Sequence, residues 1–106
     1  MRITIGTDSF DIYPLQLGIP VRRAAIYTIW TYDPNIQKYP FLYVGETGDL
    51  AERLDQNHHK YQCWLNHQVQ GLFIGIWLLP TDKFTPAQRK SEELRLISAH
   101  NPICNG

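Results

Sequence analysis

Phe41-Leu42-Tyr43-Val44-Gly45-Glu46-Thr47-Gly48-Asp49-Leu50-Ala51-Glu52-Arg53 changes character twice within thirteen residues. Aromatic and branched side chains from Phe41 to Val44 favour an extended strand. Gly45 to Gly48 reads as a turn, and Asp49 is placed to cap a helix that carries Leu50, Ala51, Arg53 and Leu54, with Glu52 in its first turn. Arg53 then lies about one turn into that helix. The strand end and the helix start bring Tyr43 and Arg53 to the same corner.

The flanking sequence supplies partners for this strand. Ala24 to Thr31, rich in β-branched and aromatic residues, is a second strand closed by the turn residues Asp33-Pro34-Asn35, and the two can pair as a hairpin. Residues 61 to 70 continue as helix through Trp64, Leu65 and Val69 until Gly71. Leu72 to Leu79, bounded by Gly71 and Pro80, reads as a buried strand. Thr85-Pro86-Ala87-Gln88 is a capping box with proline at the first helical position, and the helix it starts runs to about Ala99, ahead of Asn101-Pro102. Residues 2 to 5 suit a short strand, and Gly6 to Pro20 reads as irregular or hairpin-like. The expectation is an α+β fold: a small, mainly antiparallel three-stranded sheet flanked by helices in residues 24–106, preceded by an N-terminal extension, residues 1–23.

A chain of 106 residues has room for one hydrophobic core. Apolar residues at 43% and charged ones at 19% exclude a disordered tail. No run approaches the ~20 apolar residues of a membrane helix, and the N-terminus lacks a signal-peptide pattern. A cytoplasmic location without membrane contact is therefore expected, and Cys63 and Cys104 are read as free thiols. Ten basic residues balance ten acidic ones. That balance argues against a protein gripping many phosphates, unless cations such as Arg22, Arg23, Arg89, Lys90 and Arg95 cluster locally.

Three segments in order, Ala25-Ile26-Tyr27, Tyr43-Val44-Gly45 through Arg53, and Glu93 through Pro102 to Asn105, resemble the signature of the GIY-YIG nucleases. The spacing of ten residues from tyrosine to arginine is kept. So is the final pattern of glutamate before Leu96-Ile97, then a proline and an asparagine. Two departures stand out: Ala25 replaces the usual glycine, and the interval from Tyr27 to Tyr43 is long, implying an enlarged loop over Asp33 to Pro40.

The resemblance implies a metal-dependent endonuclease with catalytic Tyr27, Tyr43, Arg53, Glu93 and Asn105. Glu93 would hold Mg²⁺ or Mn²⁺, since a carboxylate suits a hard cation that keeps most of its waters. Arg53 would offer a forked, permanent charge to the phosphoryl transition state. Tyr27 would help deprotonate the attacking water, Tyr43 would position water or phosphate, and Asn105 would fix the glutamate or a tyrosine by hydrogen bonding. Placed at ~100° intervals, the apolar stripe Ala87, Leu94, Leu96 and Ile97 centres roughly 70° from Glu93 and roughly 170° from Glu92, so Glu93 borders the sheet and Glu92 faces water.

His58 or His59, just beyond Arg53 on the same helix, contacts phosphate or assists proton transfer; with Arg22, Arg23, Arg89 and Lys90 they form the candidate nucleic-acid contacts. His59, Cys63 and His67 recur every four residues, but the outer two are about 12 Å apart on a helix, too far to share one zinc ion. The aromatic residues Tyr13, Tyr32, Tyr39, Trp30, Trp64 and Trp77 read as packing, with base stacking open to an exposed one. DNA is the favoured substrate, with self-association or a protein partner supplying specificity. An RNA-cleaving nuclease or toxin with this site, and a silent nucleic-acid-binding module of the same fold, are the alternatives.

Overall fold

Eight residues from Ala25 to Tyr32 form an interior strand of the sheet, and seven of them are buried because both faces are covered. The structure is a computed structural model that describes residues 1–80 and 84–106. Its strands are β1 (Arg2–Ile5), β2 (Asp8–Pro14), β3 (Ala25–Tyr32), β4 (Phe41–Thr47) and β5 (Gln70–Leu78). The helices are α1 (Leu50–Arg53), α2 (Tyr61–His67) and α3 (Pro86–His100), followed by a 3-10 turn at Ile103–Asn105. All pairings are antiparallel, in the order β1-β2-β5-β3-β4.

The α+β class stands, but the sheet has five strands where three were expected. The two extra strands come from residues 1–23. Asp8, Ser9 and Asp11 obscured an alternation in β2 that turns Phe10 and Ile12 inward, and Ile12 is buried. Segment 1–23 is thus continuous with the sheet through the β2–β5 ladder, Ile12↔Gly75 to Pro14↔Phe73. Beyond Gly75 the two strands part, which leaves Ile76, Trp77 and Leu78 exposed on a strand expected to be buried throughout.

Period-two alternation sorts β3 onto two half-cores. Ala25, Tyr27 and Ile29 pack with Leu50, Leu54 and Trp64 from the α1 and α2 side. Ile26 and Trp30 pack with Phe41, Val44 and Leu96 on the α3 side. The capping box of α3 forms as expected: Gln88 N donates to Thr85 Oγ1 (3.2 Å) and Thr85 N to Gln88 Oε1 (2.7 Å). Leu94, assigned to the apolar stripe, is 53% exposed, whereas Glu93 and Leu96 are the buried residues of the helix. The helix leans toward the outer edge of β4, so its buried face includes a carboxylate.

Cys63 and Cys104 form a disulfide between α2 and the C-terminal turn, with Cα atoms 6.0 Å apart, in place of two free thiols. A core that needs no bridge can still carry one. The fold brings two half-cystines, 41 residues apart in sequence, to the same side of the sheet. With its sulfur in that bond, Cys63 is not a metal ligand. Among the described residues no helix is long and apolar enough to cross a membrane.

Candidate active site

The site begins at one cross-strand pair. Tyr27 on β3 lies opposite Gly45 on β4, and its ring lies over the position where any other residue would carry a side chain. A Cβ on Gly45 would sit 2.5 Å from both Cζ and Oη of Tyr27. Glycine at 45 is a steric requirement set by Tyr27, more than a turn signal. Tyr43, two residues earlier on β4, brings its ring centroid to 6.0 Å from that of Tyr27.

Tyr27 is fully buried, and its Oη lies 2.6 Å from His58 Nε2. The expected continuation of the Arg53 helix to His58 does not occur. The helix stops at Arg53, and His58 sits in the turn before α2, with its Nδ1 accepting from Lys60 N at 3.0 Å. His58 is therefore buried, stacked on His59 and packed against the tilted ring of Trp64 (ring centroids 4.6 Å each), and is not a surface contact for phosphate. Burial, helped by His59 and Arg53, pushes its pKa down to about 4, so the ring is neutral at ordinary pH. His59 is exposed and its pKa is also lowered, by partial burial and by Arg53 and Lys60.

Arg53 reaches this corner from the end of α1. Burial raises the Tyr27 pKa well above the usual phenol range, and nearby Tyr43 adds to this, while hydrogen bonding and charge from Arg53 oppose it. Tyr43 is raised too, by burial and then by the charge of Glu93. Burial works against the Arg53 charge, but Tyr27, Tyr43 and Glu46 together outweigh it and the pKa is raised. Arg53 is exposed, has no carboxylate partner among the described residues, and lines a cleft of about 350 Å³ with Thr47, Gly48, Asp49 and Glu52.

Glu93 and Asn105 approach from the other side of β4, at its free edge. Val44 and Glu46 are two apart and turn their backbone polar groups outward. Asn105 accepts from Val44 N and donates to Val44 O (2.9 Å each), while Glu93 Oε2 accepts from Glu46 N (2.8 Å). Asn105 thus holds the strand backbone, and not the glutamate or a tyrosine as anticipated. Glu93 is the inward carboxylate of the pair, 8% exposed, as its helical angle requires. Glu92 pairs with Arg95 (2.6 Å), which also binds Asp8 (3.0 Å).

The second oxygen of Glu93 accepts from Lys90 Nζ at 2.9 Å. Lys90 is mostly exposed, so its ammonium sits where a hard cation could take its place on Oε1. Among the described residues no three His, Cys, Asp or Glu side chains gather into a metal cluster. The donor set available is one carboxylate, which fits Mg²⁺ or Mn²⁺ held mainly by water and substrate phosphate.

Several expected nucleic-acid contacts are engaged with acids. Arg22 pairs with Asp49 (2.8 Å), Arg89 with Glu46 (3.2 Å) and Lys90 with Glu93 (2.9 Å). Arg23 is exposed without such a partner among the described residues. Of the five anticipated groups, Tyr27 and Tyr43 pack on each other, Arg53 lies close enough to influence both, and Glu93 and Asn105 dock on the free edge of β4. The His58 link to Tyr27 was not anticipated as a buried contact. The distance of five residues from Arg53 suggested a helix face, and only the break at Leu54 turns His58 inward.

No family model matches this chain, no curated protein matches it, and no solved structure matches its fold.

Proposed function

We propose that this protein is a metal-dependent endonuclease of the GIY-YIG kind, cleaving phosphodiester bonds with DNA as the favoured substrate. The observation that carries the reading is that Tyr27 and Tyr43 pack together at one corner of the sheet close to Arg53, which has no carboxylate partner among the described residues and lines the adjoining cleft, with Glu93 bonded to the free edge of β4. Arg53 presents its fork to a phosphate that gains charge in the transition state, where such a donor contributes most. Tyr27, held by His58, handles the proton of the attacking water, and Tyr43 orients that water or the phosphate. Glu93 would hold Mg²⁺ or Mn²⁺ in exchange for Lys90. The ion, when bound, supplies charge neutralisation at the phosphate and a more acidic water.

A second reading has an observation behind it. Both Glu93 oxygens already have protein partners, Glu46 N and Lys90 Nζ, which suits a binding module whose glutamate only caps the strand. RNA cleavage shares every group of the first reading and differs in the substrate surface alone.

One experiment separates these. Purified protein is incubated with single-stranded DNA, duplex DNA and RNA in Mg²⁺, Mn²⁺ or chelator, alongside Glu93→Gln and Glu92→Gln. The expected outcome is metal-dependent cleavage of DNA, lowered about 10²-fold or more by Glu93→Gln and little by Glu92→Gln. Binding without cleavage under any metal would favour the silent module. Cleavage confined to RNA would move the substrate and leave the site intact.

A further inference from the structure

We propose that His58 is a positioning residue that donates a hydrogen bond to Tyr27 and is barred by its other nitrogen from accepting the Tyr27 proton. A backbone N–H only donates, so His58 Nδ1, which receives Lys60 N at 3.0 Å, carries no hydrogen. A neutral imidazole has one N–H, and here it must be at Nε2. At 2.6 Å from Tyr27 Oη, that N–H points at the phenol oxygen, which accepts it. Protonating the ring would set Nδ1–H against Lys60 N–H, an opposition that adds to the cost of burial.

The direction of this bond decides where the Tyr27 proton can go. His58 has no lone pair to offer at Nε2, and its one lone pair is spent on a backbone amide. Any proton that Tyr27 gains or loses must pass on the side away from His58, toward Tyr43 and Arg53. His58 instead fixes the oxygen in place and stabilises a phenolate whenever one forms. The groups around the imidazole fit this static part. Tyr27 and Tyr43 face it from β3 and β4, Trp64 from α2, His59 and Asp55 from the connecting turn, and Arg53 from the end of α1. Only Asp55 favours a charged ring.

The hydrogen-bond assignment stands without any nuclease activity, whereas the consequence for catalysis rests on the proposed function. The test therefore has two arms. Long-range ¹H–¹⁵N correlation spectra of uniformly ¹⁵N-labelled wild-type protein report the His58 tautomer from pH 5 to 8. The expected result is a protonated Nε2 and an unprotonated Nδ1 over the whole range. A Nδ1–H tautomer, or titration near the ordinary value of 6.5, would overturn the proposal. In the second arm, His58→Leu should lower kcat about 10- to 100-fold with KM little changed, because the Tyr27 oxygen loses its anchor. His58→Gln, which keeps an N–H donor, should recover much of the loss with an unaltered pH profile. A wild-type pH limb that vanishes in His58→Gln would show a proton relay and defeat the proposal. If no nucleic acid is cut at all, the nuclease reading falls and the spectra still decide the tautomer.

Discussion

Replacing Gly45 by alanine adds one methyl group at the most crowded point of the molecule. The new carbon would lie 2.5 Å from Tyr27 Cζ and Oη and 2.9 Å from Cε1. Comfortable separations between such atoms are about 3.5–4.0 Å, so something must move by about 1 Å. Tyr27 has no exposed surface to retreat into, and its hydroxyl is tied to His58. Either the ring swings and breaks that bond, or β3 and β4 separate at the Tyr27↔Gly45 pair. Overpacking of this kind costs about 1–3 kcal/mol, and a buried hydroxyl and imidazole left without each other cost about 1–3 kcal/mol more. These contributions overlap, because relieving one incurs the other, so a total of about 2–4 kcal/mol follows. Urea denaturation followed by circular dichroism measures it. Gly48→Ala is the built-in control: there the nearest atom is the end of the Arg89 side chain at 3.3 Å, which can give way. The same substitution three residues apart should thus destabilise strongly at 45 and by under about 0.5 kcal/mol at 48. Tyr27→Phe should not rescue Gly45→Ala, since Cζ remains. Equal, small losses at both glycines would refute the reasoning, as would full rescue by Tyr27→Phe.

Two further outcomes follow from the disulfide and from the pairing of charges. Reducing Cys63–Cys104, or replacing both by serine, releases a loop of 41 residues from its constraint and should cost about 4 kcal/mol in the chain-entropy account; unchanged urea midpoints with and without dithiothreitol would contradict this. Arg22, Arg89 and Lys90 are each held by a carboxylate, while Arg23, Arg53 and Lys60 have none among the described residues. Duplex binding by the wild-type protein in chelator, where Lys90 keeps its carboxylate, should therefore weaken with salt at a slope of about −3 in log K against log salt, from three phosphate contacts at about −0.9 each. A slope steeper than about −6 in fluorescence anisotropy would mean that the ion pairs open to take phosphate.

What could be read in advance was whatever depended on neighbours in sequence. The capping box at Thr85, the Asp49 cap, the turn after Thr31 and the inward direction of Glu93 are all set within a few residues, and local chemistry reports them. The parts that escaped depend on distant chain. Polar residues hid the alternation of β2, because Asp8 and Asp11 form ion pairs with Arg95 and Arg2 that only the folded sheet supplies. The break of the helix after Arg53 carried a weak signal, yet it turns His58 from a surface position to a partner of Tyr27. The disulfide left none, since cysteine spacing says nothing of proximity across 41 residues.

The strand edge explains why a glutamate and an asparagine stand beside the tyrosines in this fold. As the last strand of the sheet, β4 must have its outward amides and carbonyls satisfied, or it becomes a template for another chain. Asn105 meets both groups of Val44, and Glu93 meets the amide of Glu46. An amide side chain is the right choice at Val44 because it both donates and accepts. At Glu46 only an N–H needs a partner, and a carboxylate that accepts with one oxygen keeps the other free to face a cation. Lys90 holds that second oxygen now, and it is exposed enough to be displaced. The strand edge thereby fixes the carboxylate on the strand that also carries Tyr43, which gives Glu93 the rigid support a functional group requires. Capping and metal binding use different oxygens, so the structural duty of Glu93 and its proposed chemical duty are compatible.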